Sequence, residues 1–216
     1  MILKADNISR SFGKNGLSSV SISIKEGQMI CVTGESGCGK TTLLNILSGM
    51  LRPDSGTVQL DGRNIFQMTD KERTMLRNTT IGYMTQGNSL IPELTIWQNI
   101  VCPTELCGKK ADEDKVTALC EWLGIANVSD SYPSDLSGGE YRRALLARGL
   151  LLDTPILLVD EPTSNLDEKS ASIVREVLNE QYLKGKGVLI VTHDKEFQRY
   201  EPEIIDLKEK CYEDKT

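Results

Sequence analysis

Eight consecutive residues, Gly34-Glu35-Ser36-Gly37-Cys38-Gly39-Lys40-Thr41, read G-x-x-x-x-G-K-T. No other stretch constrains the fold of this chain as strongly, because the pattern works only between a strand and a helix. The apolar run Met29-Ile30-Cys31-Val32 in front of it predicts a buried strand, and Leu43-Leu44-Asn45-Ile46-Leu47 behind it predicts a helix. A strand, a glycine loop and a helix start together present backbone N–H groups and the positive end of a helix dipole to an anion. The glycines allow φ > 0 and a close approach of the backbone to phosphate oxygens. Lys40 is then expected to reach the β- and γ-phosphates, and Thr41 to offer its hydroxyl to Mg²⁺.

The rest of the chain reads as one α/β unit. Ile156-Leu157-Leu158-Val159 and Val188-Leu189-Ile190-Val191 are continuous apolar runs, the mark of strands covered on both faces. Ile2-Leu3-Lys4-Ala5, Val20-Ser21-Ile22-Ser23-Ile24, Thr57-Val58-Gln59-Leu60 and Thr80-Ile81-Gly82-Tyr83-Met84 predict further strands, with turns at Lys25-Glu26-Gly27, Pro53-Asp54-Ser55-Gly56 and Asp61-Gly62. From Thr95 to Leu152 the signal is helical, with Val116, Leu119, Cys120 and Leu123 at helix spacing. Asp167 is placed to cap a helix that runs to about Lys184 and stops at Gly185, and Ile204-Ile205-Asp206-Leu207 predicts a last strand. A mainly parallel sheet with covering helices, interrupted by a helical insert, fits this order.

Composition narrows the function. The 216 residues are 39% hydrophobic but only 5% aromatic, so the core is expected to be aliphatic. A net charge of −6 argues against a constitutive nucleic-acid binder, which needs a basic footprint. Six cysteines without a C-x-x-C pair, and no secretory segment at Met1-Ile2-Leu3-Lys4, predict free thiols in a reducing cytoplasm. One histidine leaves no basis for a clustered zinc site. No apolar run approaches the ~20 residues that span a bilayer, so a membrane function needs a second polypeptide.

Two more features carry chemistry. Asp160-Glu161 follows the buried run at residues 156–159, the end of a strand where α/β sheets bind ligands. Asp160 is suited to hold Mg²⁺ through water, and Glu161 to orient or deprotonate an attacking water. Alone, the same pair reads as a solvated acidic loop. Leu136-Ser137-Gly138-Gly139-Glu140 places a capping Ser137 three residues before Glu140, with two glycines between them. That is an ordinary capped helix or a second anion-seeking helix start, and the residues by themselves do not choose between the two.

Taken jointly, these motifs resemble the nucleotide-binding subunit of an ATP-binding cassette (ABC) transporter over nearly the whole chain. Residues 34–42 match the Walker A motif and 136–140 the signature. Residues 156–160, followed by Glu161, match Walker B, and 164–167 match the D-loop. Gln86 and His193 stand at the Q-loop and switch positions. The resemblance implies a P-loop NTPase (RecA-like) core with an N-terminal antiparallel β subdomain and an inserted helical subdomain carrying the signature. Residues 1–86 and 151–216 would form the core with its β subdomain, and 87–150 the helical subdomain. It implies a homodimer that packs head to tail around two ATP molecules. Gly34, Glu35, Ser36, Gly37, Cys38, Gly39, Lys40, Thr41 and Thr42 would hold the phosphates, and Phe12 would stack on adenine unless it is simply a core residue. Thr41, Gln86 and Asp160 would serve Mg²⁺. Glu161, His193 and Lys40 would act in catalysis. Ser137, Gly138, Gly139 and Asp167 would act across the dimer on the partner's nucleotide.

Two departures are visible. Glu140 stands where glutamine is commoner, placing a negative charge near the proposed phosphate, and Cys38 replaces a frequent serine. At a helix start Cys38 is expected to be a reactive thiol that iodoacetamide labels. Ser48-Gly49-Met50-Leu51-Arg52-Pro53-Asp54-Ser55-Gly56, Leu76-Arg77 before Ile81-Gly82-Tyr83, and Leu90-Ile91-Pro92-Glu93-Leu94-Thr95 are similar to the lipoprotein-releasing, macrolide- and peptide-exporting and cell-division branch. That branch implies an integral membrane permease contacting residues 87–100, on the inner face of the cell membrane, with no nucleic acid. No C-terminal regulatory domain is expected so soon after the last strand. A P-loop small-molecule kinase is a rival that would not need signature, D-loop and switch histidine together. Repair and ribosomal ABC ATPases carry insertions or second cassettes that this length does not accommodate. A regulatory ATPase signalling to a cell-wall hydrolase or sensor kinase shares the same chemistry.

Overall fold

The computed structural model describes residues 1–13, 15–85 and 90–207. In chain order its elements are β1 (Ile2–Phe12), β2 (Asn15–Lys25), β3 (Met29–Thr33), α1 (Lys40–Leu47), β4 (Ser55–Leu60), β5 (Arg63–Asn64), α2 (Asp70–Thr79), β6 (Ile81–Met84), α3 (Ile96–Leu106), α4 (Glu113–Trp122), α5 (Gly138–Leu151), β7 (Ile156–Asp160), α6 (Glu168–Leu183), β8 (Gly187–Val191) and β9 (Glu203–Asp206). The strands form two sheets, an antiparallel one of order β2-β1-β4-β5 and one of order β6-β7-β8-β3-β9, whose pairings are all parallel.

The parallel strands divide the core in two. Successive side chains on a strand face opposite ways. Ile30, Val32, Ile156, Leu158, Leu189 and Val191 therefore join one cluster with α1 and the antiparallel sheet. Cys31, Leu157, Val159, Val188 and Ile190 join the other, with α3 to α6. Both faces are covered, which is why these strands read as unbroken apolar runs. The carboxyl ends of β3, β7 and β8 come out side by side, and the residues that follow them meet there.

Three details differ from expectation. β1 runs to Phe12 rather than stopping at Ala5. The apolar alternation breaks at Asp6-Asn7, where Asn7 takes φ 48° and the pairing with β4 slips. This bulge returns Ile8 to the buried face that holds Leu3 and Ala5. α2 carries little apolar stripe, with only Leu76 buried, and is set by a capping box between Thr69 and Glu72. The helical stretch after Thr95 breaks into α3, α4 and α5, with 3₁₀ turns at Ala126–Val128 and Pro133–Asp135. Among the described residues, no helix is long and apolar enough to cross a membrane.

Candidate functional site

The loop after β3 turns through Gly34, Gly37 and Gly39 at φ 153°, 83° and 96°. Gly39 is needed twice over: a Cβ there would lie 2.7 Å from the Gly16 carbonyl oxygen and 2.9 Å from Leu17 Cα, so the loop rests on the backbone of β2. α1 begins at Gly39 with no side-chain cap and no acidic residue in its first turn. Its start therefore offers donors and dipole to an outside anion. Lys40, 8% exposed, donates 2.9 Å hydrogen bonds to the carbonyls of Gly34 and Glu35. The lysine is thus stored inside the loop, beside the position a phosphate would take. Cys38 faces the other way. It is 9% exposed and packs with the cluster that includes Val32, Leu43 and Leu207. Burial corrects the expectation of an accessible, reactive thiol.

Asp160 closes β7 and is 2% exposed. Its Oδ2 accepts a 2.7 Å hydrogen bond from the Thr41 hydroxyl, tying α1 to β7. Its Oδ1 is buried and meets no hydrogen-bond partner among the described residues. Burial pushes the Asp160 carboxyl upward, against the pull of Thr41, Arg142 and Lys40. An unpaired buried carboxylate oxygen beside a hydroxyl is a hard-oxygen donor set that suits Mg²⁺. No cluster of three or more His, Cys, Asp or Glu among the described residues suits a metal by itself. A cation here would need further ligands from outside these side chains, such as phosphate and water, the usual habit of Mg²⁺.

Glu161 takes φ 46°, a left-handed conformation that costs a residue with a side chain about 1–3 kcal/mol. Its N–H donates to Val191 O at 2.9 Å, and its carbonyl accepts from Arg142 at 2.7 Å and Ser164 N at 3.3 Å. Burial raises its carboxyl too, while His193 and Lys40 pull the other way. His193 follows β8 by two residues, and its Nε2 stands 3.5 Å from Glu161 Oε1. The imidazole is 59% exposed, so it reaches into the cleft rather than packing.

These groups line one open cavity of about 720 Å³, together with Ser36, Gly37, Thr42 and Phe12. That volume suits a nucleotide-sized ligand. Phe12 is 52% exposed at the cavity edge, which rules out core packing, and the Arg10 guanidinium lies 5.4 Å from its ring centre. Gln86 lies outside the described residues.

The second helix start is built differently. Ser137 accepts from Glu140 N at 3.3 Å, and Glu140 accepts from Ser137 N at 2.9 Å and its hydroxyl at 2.7 Å, a complete capping box. Among the described residues, none of 137–139 lines the cavity of its own chain. Gly139 has a reason within the chain: a Cβ would sit 2.7 Å from Ser170 Oγ and 3.1 Å from Arg143. Gly138 has none, since a Cβ there meets nothing within 4 Å. Asp167 caps α6, accepting from Ser170 N and Oγ at 2.9 Å each, and Ser170 accepts 2.7 Å from Arg143. The start of α5 is thereby tied to the start of α6.

Several site residues had no signal in the sequence. Arg142 reaches the Glu161 carbonyl. Arg175, 1% exposed, lines the cavity and binds Glu168 and Asp194, the latter at 2.7 Å. Burial works to raise the Asp194 carboxyl, but Arg175, Glu196 N–H and Thr163 hold it below the usual range. This pair anchors the segment that carries His193. Isolated arginines on helices read as solvated charge until the fold brings them together.

Residues 17–164 match the family profile described as "ABC transporter". A curated relative, "Lipoprotein-releasing system ATP-binding protein LolD" of Blochmanniella floridana, is 37% identical over 85% of this chain and 80% of its own length. "Macrolide export ATP-binding/permease protein MacB" of Campylobacter jejuni is 35% identical over 94% of this chain, which spans 32% of that protein. Among solved structures, "Dimeric Structure of MJ0796, a Bacterial ABC Transporter Cassette" superposes with TM-score 0.88 at 31% identity, covering 98% of this chain and 96% of that one. The same cassette is also known in a "post-hydrolysis state" "bound to ADP and Pi", with TM-score 0.87.

Proposed function

This chain belongs to the ABC transporter family and is a Mg²⁺-dependent ATPase; from that premise we propose that it dimerises on ATP and powers a separate membrane subunit. The observation that carries this reading is the division of labour between two helix starts. α1 opens, uncapped, into a cleft that also holds Asp160, Glu161 and His193, whereas the start of α5 stays outside that cleft. A second copy, packed head to tail, supplies Ser137, Gly138, Gly139 and Asp167 to the first copy's nucleotide. The dimeric MJ0796 cassette is precedent for such an assembly.

Within one site, Lys40 leaves the Gly34 and Glu35 carbonyls for the phosphate oxygens, and the loop N–H groups hold the phosphate chain. Thr41 and Gln86, and Asp160 through water, would hold Mg²⁺, which would supply neutralisation of the phosphate charge. Glu161 positions the attacking water and accepts its proton; its burial strengthens the carboxylate's hold on that proton. His193, beside Glu161, contacts the γ-phosphate. Phe12 stacks on adenine, with its other face taken up by Arg10.

The likeness to a lipoprotein-releasing ATP-binding protein and to a macrolide export protein supports, as our proposal, an exporter or force-transmitting complex for lipoproteins, peptides or antibiotics on the inner face of the cell membrane. A groove of about 660 Å³ between α2, the end of α3 and the end of α5 supports a contact with a helix of that subunit. Exposed Met75 and Leu106 line it, whereas among the described residues none of 87–100 does. Glu161→Gln tests the reading: ATP binding persists, the dimer accumulates, and turnover falls about 10²–10⁴-fold, the scale of a lost general base. Unchanged turnover removes Glu161 from the mechanism.

A further inference from the structure

One turn inside α5, Arg142 leans away from the helix start and into the sheet. Nη2 donates to the Glu161 carbonyl at 2.7 Å, across 19 residues of sequence. That carbonyl is the weak point of a constrained residue. Glu161 sits at φ 46° without glycine's freedom, and its only other carbonyl donor among the described residues, Ser164 N, stands at 3.3 Å. Without Arg142 the peptide after Glu161 is free to rotate toward an ordinary conformation, and the carboxylate rotates with it. Arg142 is half-buried and, with Leu145, Leu146, Val159, Asp160, Pro162 and Val174, lines a small space of about 20 Å³. In this partly buried setting the hydrogen bond competes less with water than it would on the open surface. Asp160 and Glu161 also attract the guanidinium electrostatically.

Ser137, Gly138 and Gly139 ride on the same helix as Arg142. A movement of the α5 start is therefore carried, through one side chain, to the backbone of Glu161. We propose that Arg142 is a positioning residue that couples the seating of the α5 start to the conformation of Glu161. The proposal rests on the reading above, in which the α5 start engages the partner's nucleotide while Glu161 serves its own. Contact with the nucleotide in one site then sets the glutamate of the other, and hydrolysis becomes cooperative through Arg142.

The test compares Arg142→Ala, Arg142→Gln and Arg142→Lys with Glu161→Gln, measuring kcat, KM, the Hill coefficient for ATP, equilibrium ATP affinity and melting temperature. Arg142→Ala is expected to lose about 10²-fold in kcat, the scale of a misplaced catalytic group. Its KM and ATP affinity stay within about twofold while cooperativity falls, because Arg142 does not line the cavity proposed to hold the nucleotide. Arg142→Lys restores most of the turnover, since an ammonium donates to the same carbonyl. If Arg142→Ala fails to fold, Arg142→Gln carries the comparison. Unchanged kcat and cooperativity overturn the proposal, as does a kcat loss that Lys does not relieve or that merely tracks a lost melting temperature. If Glu161→Gln itself keeps turnover, the assignment of Glu161 falls, and this proposal with it.

Discussion

The starts of α1 and α5 differ in one respect: the first has no side-chain cap, and the second carries a complete capping box. α1 has a left-handed glycine as its cap, no acidic residue in its first turn, and a lysine stored against two loop carbonyls. α5 has a serine cap, a reciprocal carboxylate and a negative charge in its first turn. The first is a finished phosphate site that needs only the ligand. In the second, the capping box occupies the N–H groups of Ser137 and Glu140, and in the proposed function it becomes a ligand site only when a partner's nucleotide meets it. A single copy should accordingly bind nucleotide through α1 alone, and the α5 start should matter only for pairing.

The largest effect that separates the two belongs to Lys40. Lys40→Ala removes charge-assisted hydrogen bonds worth about 1.5–3 kcal/mol, so ATP binding by the isolated chain is expected to weaken about ten- to hundredfold in titration calorimetry. An unchanged affinity would break the assignment of α1 as the finished site. Next comes the glycine pair at the α5 start. Gly139→Ala drives a Cβ toward Ser170 and Arg143, an overpacking that costs about 1–3 kcal/mol and lowers the denaturation midpoint. Gly138→Ala meets open space. It is expected to keep full stability and nucleotide affinity and to lose ATP-driven dimerisation, read by sedimentation. If both substitutions act alike, the contrast drawn between these glycines is wrong.

The smallest effect is that of Glu140→Gln. The Ser137 hydroxyl and N–H hold the Glu140 carboxyl below the usual range. Its cap therefore adds stability at a pH above the unfolded glutamate's titration, and that stability is lost as pH falls through the folded value. Glutamine keeps the box without the charge, so the variant should lose less melting temperature in acid. Removing a negative charge from a helix start that faces phosphate is worth about 0.3–1 kcal/mol. Dimerisation on ATP is thus expected to tighten about two- to fivefold.

What was legible in the sequence was local. The G-x-x-x-x-G-K-T loop, the Ser137–Glu140 box and the Asp167 cap each join residues a few positions apart, where helix geometry alone fixes the partner. Buried β7 and β8 were legible because strands covered on both faces carry no alternation. Hidden were the features that depend on which strands lie side by side. Arg142 to Glu161 and Arg175 to Asp194 each span 19 residues, and the order β6-β7-β8-β3-β9 brings those segments together. The bulge at Asn7 was hidden for another reason: it shifts the parity of β1, so the very alternation used to recognise a strand breaks inside one. Cys38 was misread because a helix start suggests an activated thiol, while the turn at Gly37 points this one into the core.

The most direct test of a site shared between two copies mixes two defective chains. One carries Lys40→Ala and the other Gly138→Asp, both in the Glu161→Gln background that blocks hydrolysis. The mixed pair has one site with both lesions and one with neither. Gel filtration with labelled ATP is expected to show dimers holding one nucleotide only when the chains are combined. Finding nothing but monomers in the mixture, at ATP concentrations that dimerise Glu161→Gln alone, would contradict the account.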